Sequence, residues 1–331
     1  MAVSLALIGL KGHQYVVLDA LQAHPEVQLM AVADDHPEAV AAVAGPPGAR
    51  AYSDYRELLA DCRPDVVLEA GNDRDRADIL TACAERGINL ICEKPLAKDL
   101  AGLERVRKAL EKSGVTLTML LTMRCDPPYL ALRQAVASGA IGTIAQAGAQ
   151  KSYRLGERPA WQQSRETFSG IIPYIGIHAM DLIRWTSGLE FVEVMAYAAN
   201  VAHPEMGDLE DSACVIARLS NGASAAIRLD YCRPAAAPTH GDDRLRIAGR
   251  SGVVEAKDER VTLVTANEGP RELPLPPPVD FLGDYLDALA RGREPFIPRA
   301  DCLRITEVVL RAREAAETGR PVKIPLCGVC R

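Results

Sequence analysis

Four groups of residues carry chemistry in this 331-residue chain. The first is the loop Gly9-Leu10-Lys11-Gly12-His13-Gln14. It follows an apolar run, Val3 to Ile8, and leads into a helical pattern, as a dinucleotide-binding unit does. Gly9 supplies the tight turn, and Gly12 is placed to let the backbone approach a pyrophosphate. Lys11 adds a cation beside a helix N-terminus that itself attracts anions, and His13 lies in the same loop. The second group is Asp34, at the end of the apolar run Val27–Ala33 and about 20 residues beyond the loop. A carboxylate there accepts the ribose 2′-hydroxyl of NAD and repels the 2′-phosphate of NADP, so NAD is the expected cofactor; the competing reading has Asp34 capping the next helix.

The third group is Cys92-Glu93-Lys94-Pro95-Leu96. Proline disfavours the helical conformation of the residue before it, so Lys94 is held extended at a strand end with its ammonium free to enter a cleft. The Lys94–Pro95 bond is also a candidate for the cis form. The fourth group lies on the segment Ile172–Thr186. At about 100° per residue, Tyr174, His178, Asp181 and Trp185 fall in a band roughly 40–60° wide. Ile172, Ile175, Ala179, Leu182 and Ile183 form the opposing apolar stripe. A helix this apolar is mostly buried, so its polar band must meet internal partners or a cleft.

Substrate contacts are sought in two further stretches. Lys151 to Trp161, with Arg165, is basic and aromatic, and Thr239-His240-Gly241-Asp242-Asp243 lies between strand patterns. Aromatic faces with hydroxyl-seeking side chains suit a sugar ring, and arginine suits a carboxylate or phosphate. Arg154, Trp161, Arg165, His240 and Asp242 are the candidates; surface ion pairs are the bland alternative for each.

The elements that must position these groups show two rhythms. Through residue 122, short apolar runs (Val3–Ile8, Val27–Ala33, Val66–Ala70, Asn89–Cys92, Thr116–Leu121) alternate with helical segments. That alternation implies βαβ units and a parallel, doubly wound sheet, with ligands beyond the carboxyl ends of its strands. From 123 to 331, adjacent strand patterns with few helices between them, broken by the turn signal Asn221-Gly222, imply an α+β domain with an open, mainly antiparallel sheet. One face of such a sheet needs a cover, and a homodimer or homotetramer is expected.

Composition narrows the class. The charge balance is 38 − 44 = −6 with no like-charged block, which argues against a nucleic-acid or anionic-membrane surface. No apolar stretch approaches the roughly 18 residues of a bilayer span. Nine scattered cysteines fit reduced thiols in a cytoplasmic enzyme. Cys327-x-x-Cys330 lacks two further ligands nearby, so it is read as a pair of free thiols, and no metal site is expected.

The chain resembles the glucose–fructose oxidoreductase / inositol dehydrogenase (Gfo/Idh/MocA) family of NAD(P)-dependent sugar and polyol oxidoreductases. The resemblance runs over nearly the whole sequence: the Asp34 strand end, Ala70-Gly71-Asn72, Glu93-Lys94-Pro95-Leu96-Ala97, Ser138-Gly139-x-x-Gly142, Gly176-Ile177-His178-Ala179-Met180-Asp181-Leu182, Glu210-Asp211-Ser212-Ala213 and Gly319-Arg320-Pro321-Val322. It implies that Asn72 and Glu93 serve the cofactor site. It further implies that Lys94 holds the substrate hydroxyl and favours its alkoxide while His178 takes the proton as general base. Imidazole and ammonium suit those tasks. Three departures stand out. Lys11 and Gln14 replace family glycines, Tyr174 stands where the family commonly carries Asp, and Asp75 replaces a usual histidine. These keep two alternatives open: a redox-assisted lyase or glycosidase, and a non-catalytic nucleotide sensor.

Overall fold

The computed structural model describes residues 2–46 and 48–326, so the Cys327–Cys330 pair lies outside the described residues. The chain forms two compact units. One comprises Met1–Leu120, Glu166–Phe168 and Asp280–Thr306; the other comprises Leu121–Arg165, Ser169–Val279 and Glu307–Arg331.

The first unit alternates β1 (Val3–Ile8), α1 (Tyr15–Ala20), β2 (Val27–Ala33), α2 (Pro37–Ala44), β3 (Arg50–Tyr52), α3 (Tyr55–Asp61), β4 (Val66–Glu69), α4 (Asp73–Glu85), β5 (Asn89–Cys92), α5 (Leu100–Ser113) and β6 (Leu117–Met119). Its six strands pair in the order β3-β2-β1-β4-β5-β6, every pair parallel. Every residue of β4 and all but the first of β5 are buried, as expected for strands covered on both faces. The order reverses between β1 and β4, which opens a crevice at the carboxyl ends of these two strands. Helix starts are fixed locally: Asp54, Asn72 and Asp99 accept backbone N–H groups in the first turns of α3, α4 and α5, the usual role of an N-cap. The three-residue β3 lacks a periodic pattern of its own and is not among the strands that the sequence pattern picks out. Helix α8 (Phe281–Arg291) belongs to this unit as well, and its Leu282 and Tyr285 lie in the same buried cluster as Leu5, Leu29 and Val66.

The second unit contains α6 (Pro127–Ala137), β7 (Ile144–Tyr153), α7 (Ile177–Ser187), β8 (Phe191–Ala199), β9 (Ser212–Leu219), β10 (Ser224–Asp230), β11 (Gly241–Gly249), β12 (Gly252–Lys257), β13 (Arg260–Thr265), β14 (Arg271–Glu272) and β15 (Val322–Lys323). The long helix α9 (Arg299–Thr318) begins in the first unit and ends in the second. The nine strands pair in the order β14-β13-β12-β11-β7-β10-β9-β8-β15, antiparallel except for β7 with β10. Burial alternates along β9 and β10, so one face is packed and the other open. Helices α6 and α7 lie against the packed face. No described helix is long and apolar enough to cross a membrane.

Candidate active site

In the first unit, the ends of β1 and β4 meet back to back. Gly9 has φ +87°, and a Cβ there would stand 2.3 Å from the Gly71 nitrogen. Only glycine satisfies both the left-handed backbone and the contact. Lys11 N–H donates to the Ala70 carbonyl at 2.8 Å, which fixes the loop onto the next strand.

Asp34 holds the same loop from the other side. Its Oδ2 accepts the Leu10 N–H at 2.8 Å and its Oδ1 accepts the His36 N–H at 3.0 Å. It is not the cap of α2, whose N-cap residue is His36. Lys11 Nζ stands 3.6 Å from Asp34 Oδ2 and 2.5 Å from Asp35 Oδ1. Its ammonium holds the Asp35 carboxyl down at about 2. Gly9, Lys11, Asp34, Asp35, Asn72 and Arg74 are among the residues that line a cleft of about 240 Å³ here. A cleft at the strand-order reversal, with a bare glycine turn and an acid at the second strand's end, fits the ribose and pyrophosphate region of NAD.

Two loop residues serve differently from expectation. A Cβ on Gly12 would meet Glu93 Cγ at 2.5 Å, so the space that Gly12 leaves is used by a protein side chain. Glu93 Oε1 accepts the His13 N–H and contacts His13 Nδ1 at 2.6 Å, while Oε2 accepts the Lys94 N–H at 3.0 Å. Burial alone would raise this carboxyl. The His13 hydrogen bond and the neighbouring Lys94 and Arg76 charges outweigh it and hold Glu93 well below the usual carboxylate range. Asn72 spends its Oδ1 on the Asp75 N–H at 3.1 Å, capping α4, and Asp75 pairs with Arg74 at 3.0 Å.

Lys94 follows β5 and is 2% exposed; its bond to Pro95 is cis. The turn that carries it is held by a buried group that the sequence reading missed. Arg76 donates to Glu69 Oε2 at 2.6 Å, Asp73 Oδ1 at 2.8 Å, the Pro95 carbonyl at 2.9 Å and the Gly71 carbonyl at 2.7 Å. Glu69 also accepts the Gly71 N–H at 2.8 Å. One guanidinium thus joins the loops after β4 and β5. The available signal was an acid ending the apolar run Val66-Val67-Leu68, with an arginine in the first turn of the next helix.

In the second unit, α7 is preceded by a π-helical turn, Ile172–Gly176, a distortion common at functional sites. Tyr174 and His178 are half-buried, whereas Asp181 and Trp185 are buried. The four-residue polar band therefore divides. Asp181, expected among the catalytic groups, makes a two-point ion pair with Arg124 at 2.7 and 2.5 Å, and Trp185 stacks under Arg133 at 4.4 Å. Both serve the packing of the helix, because a buried carboxylate is satisfied first by a buried cation. Tyr174 and His178 form the accessible half.

Tyr174 Oη accepts from Gln162 Nε2 at 3.0 Å, and Gln162 Oε1 accepts from Arg158 Nη1 at 3.3 Å. Trp161 stands edge-on to Tyr174, centroids 6.2 Å apart. His240 stacks on Tyr153 at 5.1 Å, and Arg158 lies 4.3 Å over Tyr231. Arg154 donates to the Ala237 carbonyl. Beside them, Lys151 on β7 faces Asp243 on β11 across the register and pairs with it at 2.5 Å. Burial pushes the Lys151 ammonium down against the pull of Asp243 and pushes the nearby Asp126 carboxyl up to about 6. Two further candidates are committed within the protein: Arg165 to Glu210 and the Ser169 carbonyl, and Asp242 to Arg244 at 2.8 and 2.9 Å. Among the described residues no group of three or more His, Cys, Asp or Glu is arranged to hold a metal ion.

Comparison with known proteins agrees with this layout. Residues 3–121 match the model of an oxidoreductase family with an NAD-binding Rossmann fold, and residues 129–255 match the GFO/IDH/MocA C-terminal domain. The inositol 2-dehydrogenase of Rhizobium meliloti is 29% identical over 301 residues, 90% of this chain and 88% of that one. The structure of a candidate oxidoreductase from Thermotoga maritima superposes with a TM-score of 0.92 at 32% identity, covering 97% of this chain and 100% of that one. A levoglucosan dehydrogenase solved with NADH has a TM-score of 0.86 at 22% identity over 98% of this chain and 100% of that one, a likeness of fold. Two family models on consecutive stretches, over the two sheets described above, place the chain in the Gfo/Idh/MocA family of oxidoreductases, with an NAD-binding Rossmann domain.

Proposed function

We propose that this protein is an NAD-dependent dehydrogenase that oxidises a CH–OH group of a sugar, inositol or other polyol. When bound, NAD supplies the hydride acceptor. Lys94 donates a hydrogen bond to the reacting hydroxyl and stabilises the negative charge that develops on its oxygen. His178 accepts the hydroxyl proton through an imidazole nitrogen. Tyr174, one turn earlier, orients the substrate through its hydroxyl, which Gln162 holds in place. Arg76 acts indirectly, since its bond to the Pro95 carbonyl fixes the turn that carries Lys94.

The observation that carries this reading is the burial of Lys94, 2% exposed, directly after a strand of the NAD-binding sheet. The carboxyl end of a strand in such a sheet is where ligands bind. The nearby inositol dehydrogenase relative supports the substrate class. The test is NADH formation by wild type and Lys94→Ala over a panel of inositols, hexoses and pentoses. The variant is expected to lose about 10²–10³ in kcat, with circular dichroism and NAD⁺ affinity retained. Near-normal turnover in Lys94→Ala would overturn the assignment.

A further inference from the structure

Two arginines near the Tyr174 end of the α7 segment stand apart from the paired arginines of the second unit. Arg124 and Arg165 are paired with Asp181 and Glu210. Arg154 and Arg158, by contrast, have no carboxylate within ion-pair distance among the described residues; their side chains reach only the Ala237 and Arg154 carbonyls, the Gln162 amide and the Tyr231 ring. Each also keeps a buried Nε–H with no hydrogen-bond partner among the described residues. The two are neighbours, since Arg158 Nη2 approaches the Arg154 carbonyl at 3.5 Å. Both act on one imidazole: burial lowers His240, and the charges of Arg158 and Arg154 lower it further.

Two half-buried like charges with idle donors are unfavourable by themselves. Nearby acids do not relieve them. Asp243 is bound to Lys151, Asp242 to Arg244 and Asp230 to Ser152. The setting is suited to a ring, with Tyr153 and His240 stacked beside the cations. It is connected to the α7 helix through Arg158, Gln162 and Tyr174, four residues before His178.

We propose that Arg154 and Arg158 receive a carboxylate on the substrate, so that the preferred substrates are sugar acids, uronates or aldonates, over neutral sugars. The proposal rests on the dehydrogenase reading above and narrows its substrate class. The planar N–H edges of guanidinium match a carboxylate.

The test is titration calorimetry of the NADH-loaded protein with D-galacturonate, D-glucuronate, D-gluconate, D-galactose, D-glucose and D-glucose 6-phosphate, run beside NADH formation from NAD⁺. At least one carboxylated sugar is expected to bind roughly ten- to a hundredfold tighter than its neutral counterpart, the worth of charge-assisted hydrogen bonds. Arg158→Gln and Arg154→Gln should each shrink that ratio, and Arg158→Lys, which keeps the charge without the fork, should restore part of it. Equal binding of acids and neutral sugars, tighter binding of the phosphate ester, or an undiminished ratio in both glutamine variants would overturn the proposal. The two readings fail separately. Turnover of neutral sugars without preference for acids removes the carboxylate and leaves the dehydrogenase, whereas selective binding of acids without NADH formation does the reverse.

Discussion

We propose that Asp34 and Lys11 meet the ribose end of the cofactor. Both Asp34 oxygens already accept backbone N–H groups, but a carboxylate oxygen has a second lone pair, so a ribose hydroxyl bound there would complete a set and not start one. Lys11 partly cancels the two aspartates beside it. Removing that ammonium leaves Asp34 and Asp35 to repel a 2′-phosphate unopposed. Lys11→Ala should therefore raise the ratio of NADP⁺ to NAD⁺ dissociation constants, by roughly two- to fivefold for a contact this exposed. Calorimetric titration with both nucleotides measures it, and an unchanged ratio would mean that Lys11 does not sense the ribose. At this scale the sequence was informative where chemistry is local. Asp34 is marked by its distance from the loop, Lys94 by its proline and His178 by its helix. It was silent where partners are remote. Lys151 and Asp243 lie 92 positions apart, and only strand register brings them together. Gln162, an ordinary amide in a polar stretch, owes its role to a tyrosine in another element.

Among the elements, α7 best shows what periodicity can and cannot reveal. The apolar stripe identified a buried helix, and its span agrees closely with the structure. The projection at 100° per residue assumed uniform geometry, however, and the π turn at Ile172–Gly176 changes the winding just before His178. Pro173 lies at the start of that turn, where a missing N–H is tolerated. The spacing also could not show that Arg124, in the turn before α6, claims Asp181. That pair has a measurable consequence. Asp181→Ala leaves a buried guanidinium without its carboxylate, and such losses cost about 3–5 kcal/mol. Chemical denaturation should register a drop of that order in unfolding free energy. A change below about 1 kcal/mol, within the range of exposed pairs, would show that the pair is dispensable and reopen a direct role for Asp181.

The molecule as a whole leaves one face of its nine-stranded sheet open. Outward positions on β8 and β9 include Tyr197 and Ile216, 69% and 61% exposed, while Gly148 and Ala226 keep the centre of the face low. Large exposed apolar side chains on a broad face favour association, and we propose that a second copy covers it, giving a dimer or tetramer. Ile216→Arg should shift the protein to monomers in light scattering at micromolar concentration; a wild type already monomeric there would refute the assembly. The other large-scale feature is chain order. Leu282 and Tyr285 sit in the core of a unit otherwise built almost entirely from the first 120 residues. During synthesis, the parallel sheet emerges complete yet lacks the helix that closes part of its core until some 160 further residues have been made, roughly ten to thirty seconds at ordinary elongation rates. The nucleotide-binding unit, whose sheet is made first, thus closes its core only after most of the second unit has been made.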